Sequence, residues 1–471
     1  MTLIPSERTT SLNQEALEGL GEEHAGPLLR PGDQGYDEAR HVWNGMIDRK
    51  PAVIARATGA ADVRTAVRLA RDQGLSLSVR GGGHNIAGSA VVDDGLMIDL
   101  SLLRGVRMNP DGEAVRVEPG LSWGDVDRET QALGRAVPTG IVSTTGVAGL
   151  TLGGGFGWLS RRWGLTCDHL RSVDLVTATG EYLRVDCESH PDLFWALRGG
   201  GGNFGIVTSF EFETRPVGPE ALGGLVVHSG GDAERVIDLF RRVTEAAPDE
   251  LTTLLLLRLA PPAPFLPESI HGKPIAAIGA CWAGDPDEGD KATRTFREKG
   301  DPVADNITAK PFVAHQQMLD AANPHGRRYY WKSEYLGELA DGVADTLLRY
   351  TRNLPSPHSA LLMMHLGGKI RRPDEDTAVP HREAEYIVNI AGSWEDPTED
   401  ERQIGWVRDF WSELREHSDY GPYTNFMTDD EGRDRDRVRQ AYGPFYDRLA
   451  EIKAEWDPEN LFRSNQNIRP G

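Results

Sequence analysis

The sequence predicts an α+β protein with two lobes. At 471 residues, the chain is long enough for two or three domains of roughly 100–200 residues each. Its 53 glycines concentrate in loops before residue 216, among short β-rich segments. After Pro216 these loops disappear, and helix-like stretches alternate with strand-like ones, which predicts a second α+β domain. The predicted boundaries are a lead-in over 1–45, a glycine-rich domain over 46–216, a second domain over 217–425 and a C-terminal segment over 426–471.

The charge balance argues against two classes of partner. Lys and Arg number 51 while Asp and Glu number 72, so the formal net charge is −21 at pH 7. Such an acidic surface repels phosphate backbones and anionic membranes, and we therefore expect no nucleic-acid or membrane partner. The content of 39% hydrophobic and 26% charged residues is typical of an ordinary globular protein rather than a disordered one.

The cysteines and the opening stretch predict a cytoplasmic location. Three cysteines in a long chain favour a reducing compartment and argue against a disulfide framework. The residues up to Pro27 contain no apolar stretch of about 7–15 residues behind a basic start, so no signal peptide is predicted. No later segment reaches about 18 consecutive apolar residues, so no membrane-spanning helix is predicted.

Local patterns predict the first elements in order. The polar, weakly patterned residues 1–45 are expected to wrap around the outside of the protein. A short strand over 51–55 precedes a helix whose apolar positions recur every three to four residues and which Gly74 ends. A second strand, over 75–80, leads directly into a glycine loop.

The later elements follow from capping and turn signals. Ser122 is the predicted N-cap of a helix that runs to Leu133, because a serine hydroxyl accepts hydrogen bonds from the first helical turn. Residues 171–186 alternate around a Thr-Ala-Thr-Gly turn and predict a hairpin. Near the C-terminus we expect one charged amphipathic helix, and then a new helix start at Asp457-Pro458.

Three glycine loops indicate a phosphate-containing ligand. They occupy residues 80–85, 153–157 and 199–205. Glycine allows backbone N–H groups to converge on a ligand and to form the concave nests that hold phosphate oxygens. One such loop is weak support, because most are simple turns. Three in an acidic protein favour a bound phosphate-containing cofactor.

The familiar phosphate and metal motifs do not account for these loops. Gly200, Gly202 and Gly205 satisfy the dinucleotide fingerprint, but that fingerprint requires a helix to follow, and residues 206–212 have an alternating β pattern. We therefore reject a nicotinamide dehydrogenase. The chain has no phosphate-binding loop of the NTPase type, and its histidines and cysteines lack the common metal-binding spacings, so no metal site is predicted.

Spacing alone leaves His84 and Cys167 open. His84 follows three glycines, so its imidazole can press against a planar ligand, or it can be a loop histidine that binds a carbonyl. Cys167 is either a buried structural cysteine or a reactive one. Reactivity needs a stabilised thiolate, and no base stands beside Cys167 in the sequence.

Four motifs then resemble those of one family. They are RGGGHNIAGSAVVDDGLMIDLS, TGVAGLTLGGGFGWLSRRWGLTCDHLRSVDLVTATGE, LFWALRGGGGNFGIVTSFEF and the terminal DPENLFRSNQNIRP. In this order they closely resemble bacterial oxidases of the berberine bridge enzyme type, within the vanillyl-alcohol oxidase and p-cresol methylhydroxylase superfamily. The resemblance runs from about residue 40 to the C-terminus. It implies a two-lobed flavoprotein in which an FAD-binding domain covers 46–216 and an antiparallel-sheet substrate domain covers 217–425.

The resemblance also implies the cofactor and its contacts. In this family FAD is often attached twice, through a histidine and a cysteine, and His84 and Cys167 occupy those two positions. The other residues implied to contact FAD are Arg80, Gly81, Gly82, Gly83, Asn85, Gly88, Ser89, Gly146, Gly149, Gly153, Gly154, Gly205, Ile206, Val207, Asn465 and Asn467. Residues 465–467 would return the end of the chain to the FAD-binding domain.

The catalytic base does not follow directly from the family motif. Relatives often carry Tyr-x-Asn-Tyr near the end of the substrate domain, with the last tyrosine as base, but this chain has Phe426 at that place. Tyr423 can substitute if the site lowers a pKa that starts near 10, or it can simply pack between the domains. Tyr386 and His365 are further candidates, each with a structural role as its alternative.

The expected activity is two-electron oxidation of a small organic molecule at an alcohol, a sugar hydroxyl or an activated C–H bond. Molecular oxygen is the expected acceptor and hydrogen peroxide the expected product. The alternatives are a dehydrogenase with another acceptor, and a flavin-holding or small-molecule-binding protein without turnover. The substrate and the oligomeric state do not follow from the sequence.

Overall fold

The computed structural model describes residues 14–471 of the chain. The first thirteen residues of the predicted lead-in lie outside the described residues. The mixture of helices with largely antiparallel sheets confirms the α+β prediction.

The described residues up to Pro216 form three small sheets and seven helices. The strands are β1 (Leu28–Leu29), β2 (Val53–Arg56), β3 (Leu77–Arg80), β4 (Leu96–Asp99), β5 (Val106–Met108), β6 (Ala114–Val117), β7 (Arg135–Ala136), β8 (Leu170–Val176), β9 (Tyr182–Asp186), β10 (Ile206–Glu213) and β11 (Arg215–Pro216). The helices are α1 (Gln14–Glu23), α2 (Tyr36–Arg40), α3 (Ala60–Asp72), α4 (Trp123–Gln131), α5 (Val147–Leu152), α6 (Ser160–Trp163) and α7 (Pro191–Leu197).

These sheets place two of the glycine loops at the ends of strands. In the four-stranded sheet, of order β1-β2-β4-β3, the strands β2, β4 and β3 are parallel, and the loop at 80–85 begins where β3 ends. The five-stranded sheet, of order β5-β6-β10-β8-β9, is antiparallel. In this sheet, β10 directly follows the loop at 199–205. The alternating pattern of residues 206–212 predicts this strand, where the dinucleotide fingerprint would require a helix.

The rest of the chain contains one large sheet. Its strands are β12 (Glu220–Ser229), β13 (Leu251–Leu259), β14 (Pro274–Trp282), β15 (Ala304–Asp305), β16 (Thr308–Pro311), β17 (Arg328–Leu336), β18 (Ala360–His365) and β19 (Tyr386–Trp394). The helices of this part are α8 (Ala233–Glu245), α9 (Pro286–Arg297), α10 (Phe312–Gln316), α11 (Asp341–Thr351), α12 (Asp400–Leu414), α13 (Asp429–Arg433), α14 (Arg435–Tyr442) and α15 (Tyr446–Trp456). All the strand pairings in this sheet are antiparallel.

The two faces of the large sheet have different environments. Apolar side chains of α8, α9, α11 and α12 form one core with its outer face. Successive side chains in a strand point to opposite faces, so Ile387, Asn389 and Ala391 of β19 point away from those helices. This second face, which also carries Trp331 and Leu362, is called the inner face below.

The C-terminal segment contacts the glycine-rich part of the chain. Asn203 is the centre of this contact, because its Nδ2 donates to the carbonyl of Gln466 at 3.3 Å and its Oδ1 accepts from the Ile468 amide at 3.0 Å. The buried ammonium of Lys453 donates to Asp457 at 2.6 Å and to the Asn203 carbonyl at 2.6 Å. These bonds fix the end of the chain beside the loop at 199–205.

The N-cap prediction for Ser122 is confirmed, and three predictions about helix bounds are wrong. The capping box of Ser122 is present, although α4 ends at Gln131, short of Leu133. The charged C-terminal helix is two helices, since Pro444 interrupts the pattern between α14 and α15. No described helix starts at Asp457-Pro458. Instead the Asp457 carboxylate accepts from the backbone amides of residues 461 and 462.

The lead-in does not only wrap the outside. Trp43 is 1% exposed and lies on the rings of His84 and Tyr329, so this residue belongs to the protein core. Asn44 is also buried, and it donates hydrogen bonds to the carbonyls of Ile86 and Tyr329. The lead-in therefore joins the first glycine loop to the large sheet.

Candidate functional site

A large cavity lies between the glycine loops and the inner face of the large sheet. It encloses about 1830 Å³ of space, part of which is open to solvent. Segments near residues 81–90, 140–152, 201–207 and 462–466 line one side, and inner-face residues line the other. The cavity therefore has two chemically different sides, one of loop backbone and one of inner-face side chains.

Glycine is required where two loop backbones touch. A Cβ atom on Gly82 would lie 2.5 Å from the Cα of Gly146, and a Cβ on Gly146 would lie 2.6 Å from the Cα of Gly82. Gly149 and Gly202 differ, since a Cβ on either meets no atom within 4 Å although both residues line the cavity. Their missing side chains leave open space in which a ligand can approach the backbone.

The first loop is held by local hydrogen bonds. The Asn85 Oδ1 atom accepts from the backbone amides of Ala87 at 3.0 Å and Ser89 at 3.4 Å, which forms an Asx-type turn. The Trp43 amide donates to the Gly83 carbonyl at 2.9 Å. The loop is thus shaped before any ligand binds.

His84 lines the cavity and its ring is stacked. The imidazole lies 4.4 Å from the Trp43 ring, centroid to centroid, with 16° between the planes. Its Nε2 atom is buried and has no hydrogen-bond partner among the described residues. Burial lowers the pKa of His84 from 6.5 to about 4, so the ring is neutral at pH 7. A neutral nitrogen without a partner can bond to a ligand.

Cys167 lies one layer behind the cavity wall. It is fully buried in a cluster that includes Phe156 and Tyr423, and it is not a lining residue. Its amide donates to the Gly154 carbonyl at 2.9 Å. Burial raises the pKa of the Cys167 thiol, and the nearby Asp168 carboxylate raises it further, so the thiol is protonated.

Tyr423 brings a hydroxyl group to the cavity. Its Oη atom accepts hydrogen bonds from the Gly155 amide at 3.0 Å and from Asn425 Nδ2 at 2.8 Å. Both donors favour the phenolate, whereas burial favours the neutral phenol. Burial is the larger effect and raises the pKa of Tyr423 above its usual 10. Phe426 also lines the cavity, at 5.1 Å from the Tyr423 ring.

Tyr386 and His365, the further candidates for the base, lie outside the cavity lining. Tyr386 lies on the outer face of β19, where its hydroxyl shares a 2.6 Å hydrogen bond with Thr244 of α8. The pleat places Tyr386 on the face opposite to Asn389, which lines the cavity. His365 bonds through Nε2 to Arg161 at 2.9 Å, and it too lies away from the cavity lining.

The structure brings most of the predicted cofactor residues to one cavity. On its lining are Gly81, Gly82, Gly83, His84, Asn85, Ser89, Gly146, Gly149, Gly205, Ile206, Val207 and Asn465. Outside the lining are Arg80, Gly88, Gly153, Gly154, Cys167 and Asn467. The guanidinium of Arg80 donates to the Ala39 carbonyl at the end of α2, which turns it away from the cavity.

The inner-face residues of the cavity were not predicted from the sequence. Trp331 of β17, Leu362 of β18, and Asn389 and Ala391 of β19 line it together. Asn389 is paired with Leu362 in the sheet and Ala391 with Trp331, so the four side chains are contiguous. Period-two alternation in these strands is their only sequence signal, and it does not tell which face is the inner one.

Unpartnered polar atoms mark the cavity as a ligand site. Four of its lining residues have a buried nitrogen or oxygen with no hydrogen-bond partner in the described part of the chain: His84 Nε2, Trp331 Nε1, Asn389 Oδ1 and Asn465 Oδ1. Buried polar groups in native proteins are nearly always paired. These four atoms are therefore the cavity's candidates for polar contact with a ligand.

Residues 14–471 show neither a metal cluster nor a membrane-spanning helix. In this range no group of three or more His, Cys, Asp or Glu side chains is arranged to hold a metal ion. No helix in the same range combines the length and apolarity that crossing a membrane requires.

Family models match two parts of the chain. Residues 51–186 match a model described as an FAD binding domain, and residues 422–469 match one described as berberine and berberine-like. An FAD-linked oxidoreductase of Dictyostelium discoideum is 31% identical over 462 residues, which cover 97% of this chain and 96% of that protein.

Solved structures share the fold over nearly the whole chain. The 6-hydroxy-D-nicotine oxidase from Arthrobacter nicotinovorans superposes with a TM-score of 0.84 at 27% identity, covering 95% of this chain and 98% of that one. A glucooligosaccharide oxidase from Acremonium strictum, which carries a 6-S-cysteinyl, 8α-N1-histidyl FAD, has a TM-score of 0.85 at 21% identity. That match covers 97% of this chain and 99% of that one.

Proposed function

The chain belongs to the family of berberine-bridge-like FAD-linked oxidoreductases, and we propose that it is an oxidase. It removes two electrons from an alcohol, a sugar hydroxyl or an activated C–H bond of a small organic molecule and passes them to molecular oxygen, with hydrogen peroxide as product. The supporting observation is the single cavity that brings His84, the glycine loops and the Tyr423 hydroxyl together.

The cavity residues fit FAD. Gly149 and Gly202 leave open space along the loops, where backbone amides can approach the pyrophosphate without obstruction. Among the described lining residues there is no Asp or Glu to repel the phosphates. When bound, FAD supplies the two-electron acceptor that oxygen reoxidises.

We propose two attachment points for the flavin, His84 and Cys167. The neutral His84 ring, with Nε2 unpartnered, supports the first. For Cys167 the support is the family resemblance and its place beside Tyr423 in one buried cluster. In the glucooligosaccharide oxidase both a cysteine and a histidine hold the FAD. Two covalent bonds would fix the ring and favour its reduced form.

Tyr423 is the proposed base. Its oxygen already accepts from Gly155 and Asn425, so the phenolate has two donors in place when the proton leaves. Tyr423 accepts the proton that the substrate hydroxyl or C–H group loses during oxidation. The other described lining residue with a titratable side chain is His84, and it is assigned to the flavin.

Anaerobic mixing tests the proposal. The purified protein is mixed with candidate substrates without oxygen, and the visible flavin absorbance is followed. We expect bleaching by at least one of them, and about one hydrogen peroxide per substrate after air is admitted. If the bleached flavin is reoxidised only by an added dye, and admitting air forms no peroxide, the protein is a dehydrogenase. If no candidate bleaches the flavin, the protein holds flavin without turnover.

A further inference from the structure

We infer that the substrate is a neutral, mainly apolar molecule that forms one hydrogen bond with the Asn389 amide. The inference rests on the proposed function and concerns the same cavity. The evidence for this substrate class comes from the inner face. The glycine loops are the proposed cofactor side of the cavity, so the inner face is the wall that a substrate would contact.

The described cavity lining carries no formal charge. It contains no Asp, Glu, Lys or Arg, and burial keeps His84 neutral. Moving a charged group from water into such a wall costs several kcal/mol unless an opposite charge meets it. A substrate with a fixed ammonium or carboxylate group would therefore bind without compensation.

The substrate wall is predominantly apolar. Leu319, Trp331, Leu362, Ala391 and Phe426 line it. Nearby, Phe156 packs edge to face against Phe426, with ring centroids 5.8 Å apart. Such a wall is stabilised by contact with hydrocarbon or aromatic surface.

Asn389 is the side-chain amide that the inner face contributes to this wall. It is 8% exposed, and its Oδ1 atom is buried with no partner in the structure as described. Leu362 is directly opposite on β18, so the amide sits among apolar side chains. One polar group in an apolar pocket commonly fixes a ligand's orientation.

The amide nitrogens of the other two asparagines in the wall are already engaged. Asn323 donates from Nδ2 to the Leu319 carbonyl at 2.9 Å. Asn425 donates to the Tyr423 hydroxyl at 2.8 Å and to the Leu150 carbonyl at 3.3 Å. An oligosaccharide has several hydroxyl groups to satisfy, whereas the four inner-face side chains of the lining carry polar atoms only at Asn389 and Trp331.

The nearest cation on the same sheet face lies beyond the lining. Arg258 of β13 is paired with Ala360, while Leu256 is paired with Leu362. Arg258 is therefore two positions along the strand from the cavity wall and is not a lining residue.

A matched set of benzyl alcohols tests the inference. The para-tert-butyl and para-trimethylammonio compounds have nearly the same shape and differ in charge, and the para-carboxylate supplies the opposite sign. Cellobiose represents the sugars. Binding to the flavin-loaded protein is measured as a change in the visible flavin spectrum, and turnover as anaerobic bleaching.

We expect the tert-butyl compound to bind at least tenfold more tightly than either charged compound and than cellobiose. Asn389→Asp places a carboxylate in the wall, so it should raise the relative affinity for the trimethylammonio compound at least tenfold. The uncharged control, Asn389→Leu, should not raise the relative affinity for the trimethylammonio compound. Equal or tighter binding of a charged compound or of cellobiose by the wild type overturns the inference. The inference is also overturned if none of the compounds changes the visible flavin spectrum.

The two proposals fail in different ways. If the neutral alcohol binds most tightly but neither it nor any other candidate bleaches the flavin, the proposed oxidase activity is wrong and the neutral ligand class stands. If cellobiose bleaches the flavin fastest, the oxidase activity stands and the neutral, apolar substrate class is wrong.

Discussion

Trp43 lies nearly parallel to the imidazole of His84, with 4.4 Å between the ring centroids. The same indole stacks on Tyr329 of the large sheet at 3.8 Å, and its Nε1 donates to the Asn323 carbonyl at 3.0 Å. The position of His84 is thus set by a residue of the lead-in and by the large sheet together.

Replacement of Trp43 by leucine should reduce covalent flavin attachment. Without the stacked indole, the His84 ring can rotate and its nitrogen is no longer held toward the cavity. We expect the fraction of flavin retained in acid-precipitated protein to fall below half of the wild-type value. Trp43→Phe keeps an aromatic surface and should retain most of it. An unchanged fraction in Trp43→Leu would show that the stack does not position His84.

Two glycine substitutions should have opposite consequences. Gly82→Ala forces a Cβ to within 2.5 Å of the Gly146 backbone, so we expect a loss of several kcal/mol in unfolding free energy or failure to fold. Gly149→Ala meets no protein atom and should unfold like the wild type, but its methyl group projects into open space at the cavity. We expect a lower ratio of flavin to protein absorbance. Equal flavin content would place the cofactor elsewhere.

Tyr423→Phe should slow anaerobic flavin reduction by about 10²–10⁴-fold, the usual contribution of a general base. Burial raises the pKa of Tyr423 above 10, and the active form is the phenolate. The wild-type rate should therefore rise with pH, approaching tenfold per unit, between pH 7 and 10. The variant should lose this dependence. Stopped-flow absorbance over that range checks it, and an unchanged slope in the variant would remove Tyr423 from the mechanism.

The buried ion pair of Lys453 and Asp457 should be far more important for stability than a surface pair. Lys453→Met leaves the Asp457 carboxylate buried and removes the bond to the Asn203 carbonyl. Breaking such a pair costs about 3–5 kcal/mol. Arg439→Ala, which breaks an exposed pair with Asp447, should cost under about 1 kcal/mol. Denaturant unfolding measures both, and similar losses would contradict this account.

Features that depend on neighbouring residues could be predicted from the sequence. The Ser122 capping box and the strand after the loop at 199–205 follow from side chains a few positions apart. The touching backbones of Gly82 and Gly146 explain why glycine is needed in both loops, although the sequence could not show that they meet.

Features that depend on which face of a helix or strand a residue occupies could not be predicted from the sequence. Tyr386 and Asn389 belong to the same strand, and only the packing of α8 decides that the tyrosine faces the helices. Trp43 lies in a segment with little hydrophobic pattern, so nothing near it indicates burial. Asp457 precedes a proline, which suggested a helix start, but the buried Lys453 binds its carboxylate instead.

Acid precipitation of the wild type and of His84→Ala, Cys167→Ala and the double variant tests the central claim most directly. We expect the yellow colour to stay in the pellet of the wild type and of each single variant, and to enter the supernatant only for the double variant. That result would assign flavin attachment to both His84 and Cys167. Colour released from the wild type by acid would contradict the covalent assignment, and a protein that remains colourless with added FAD would contradict the cofactor site itself.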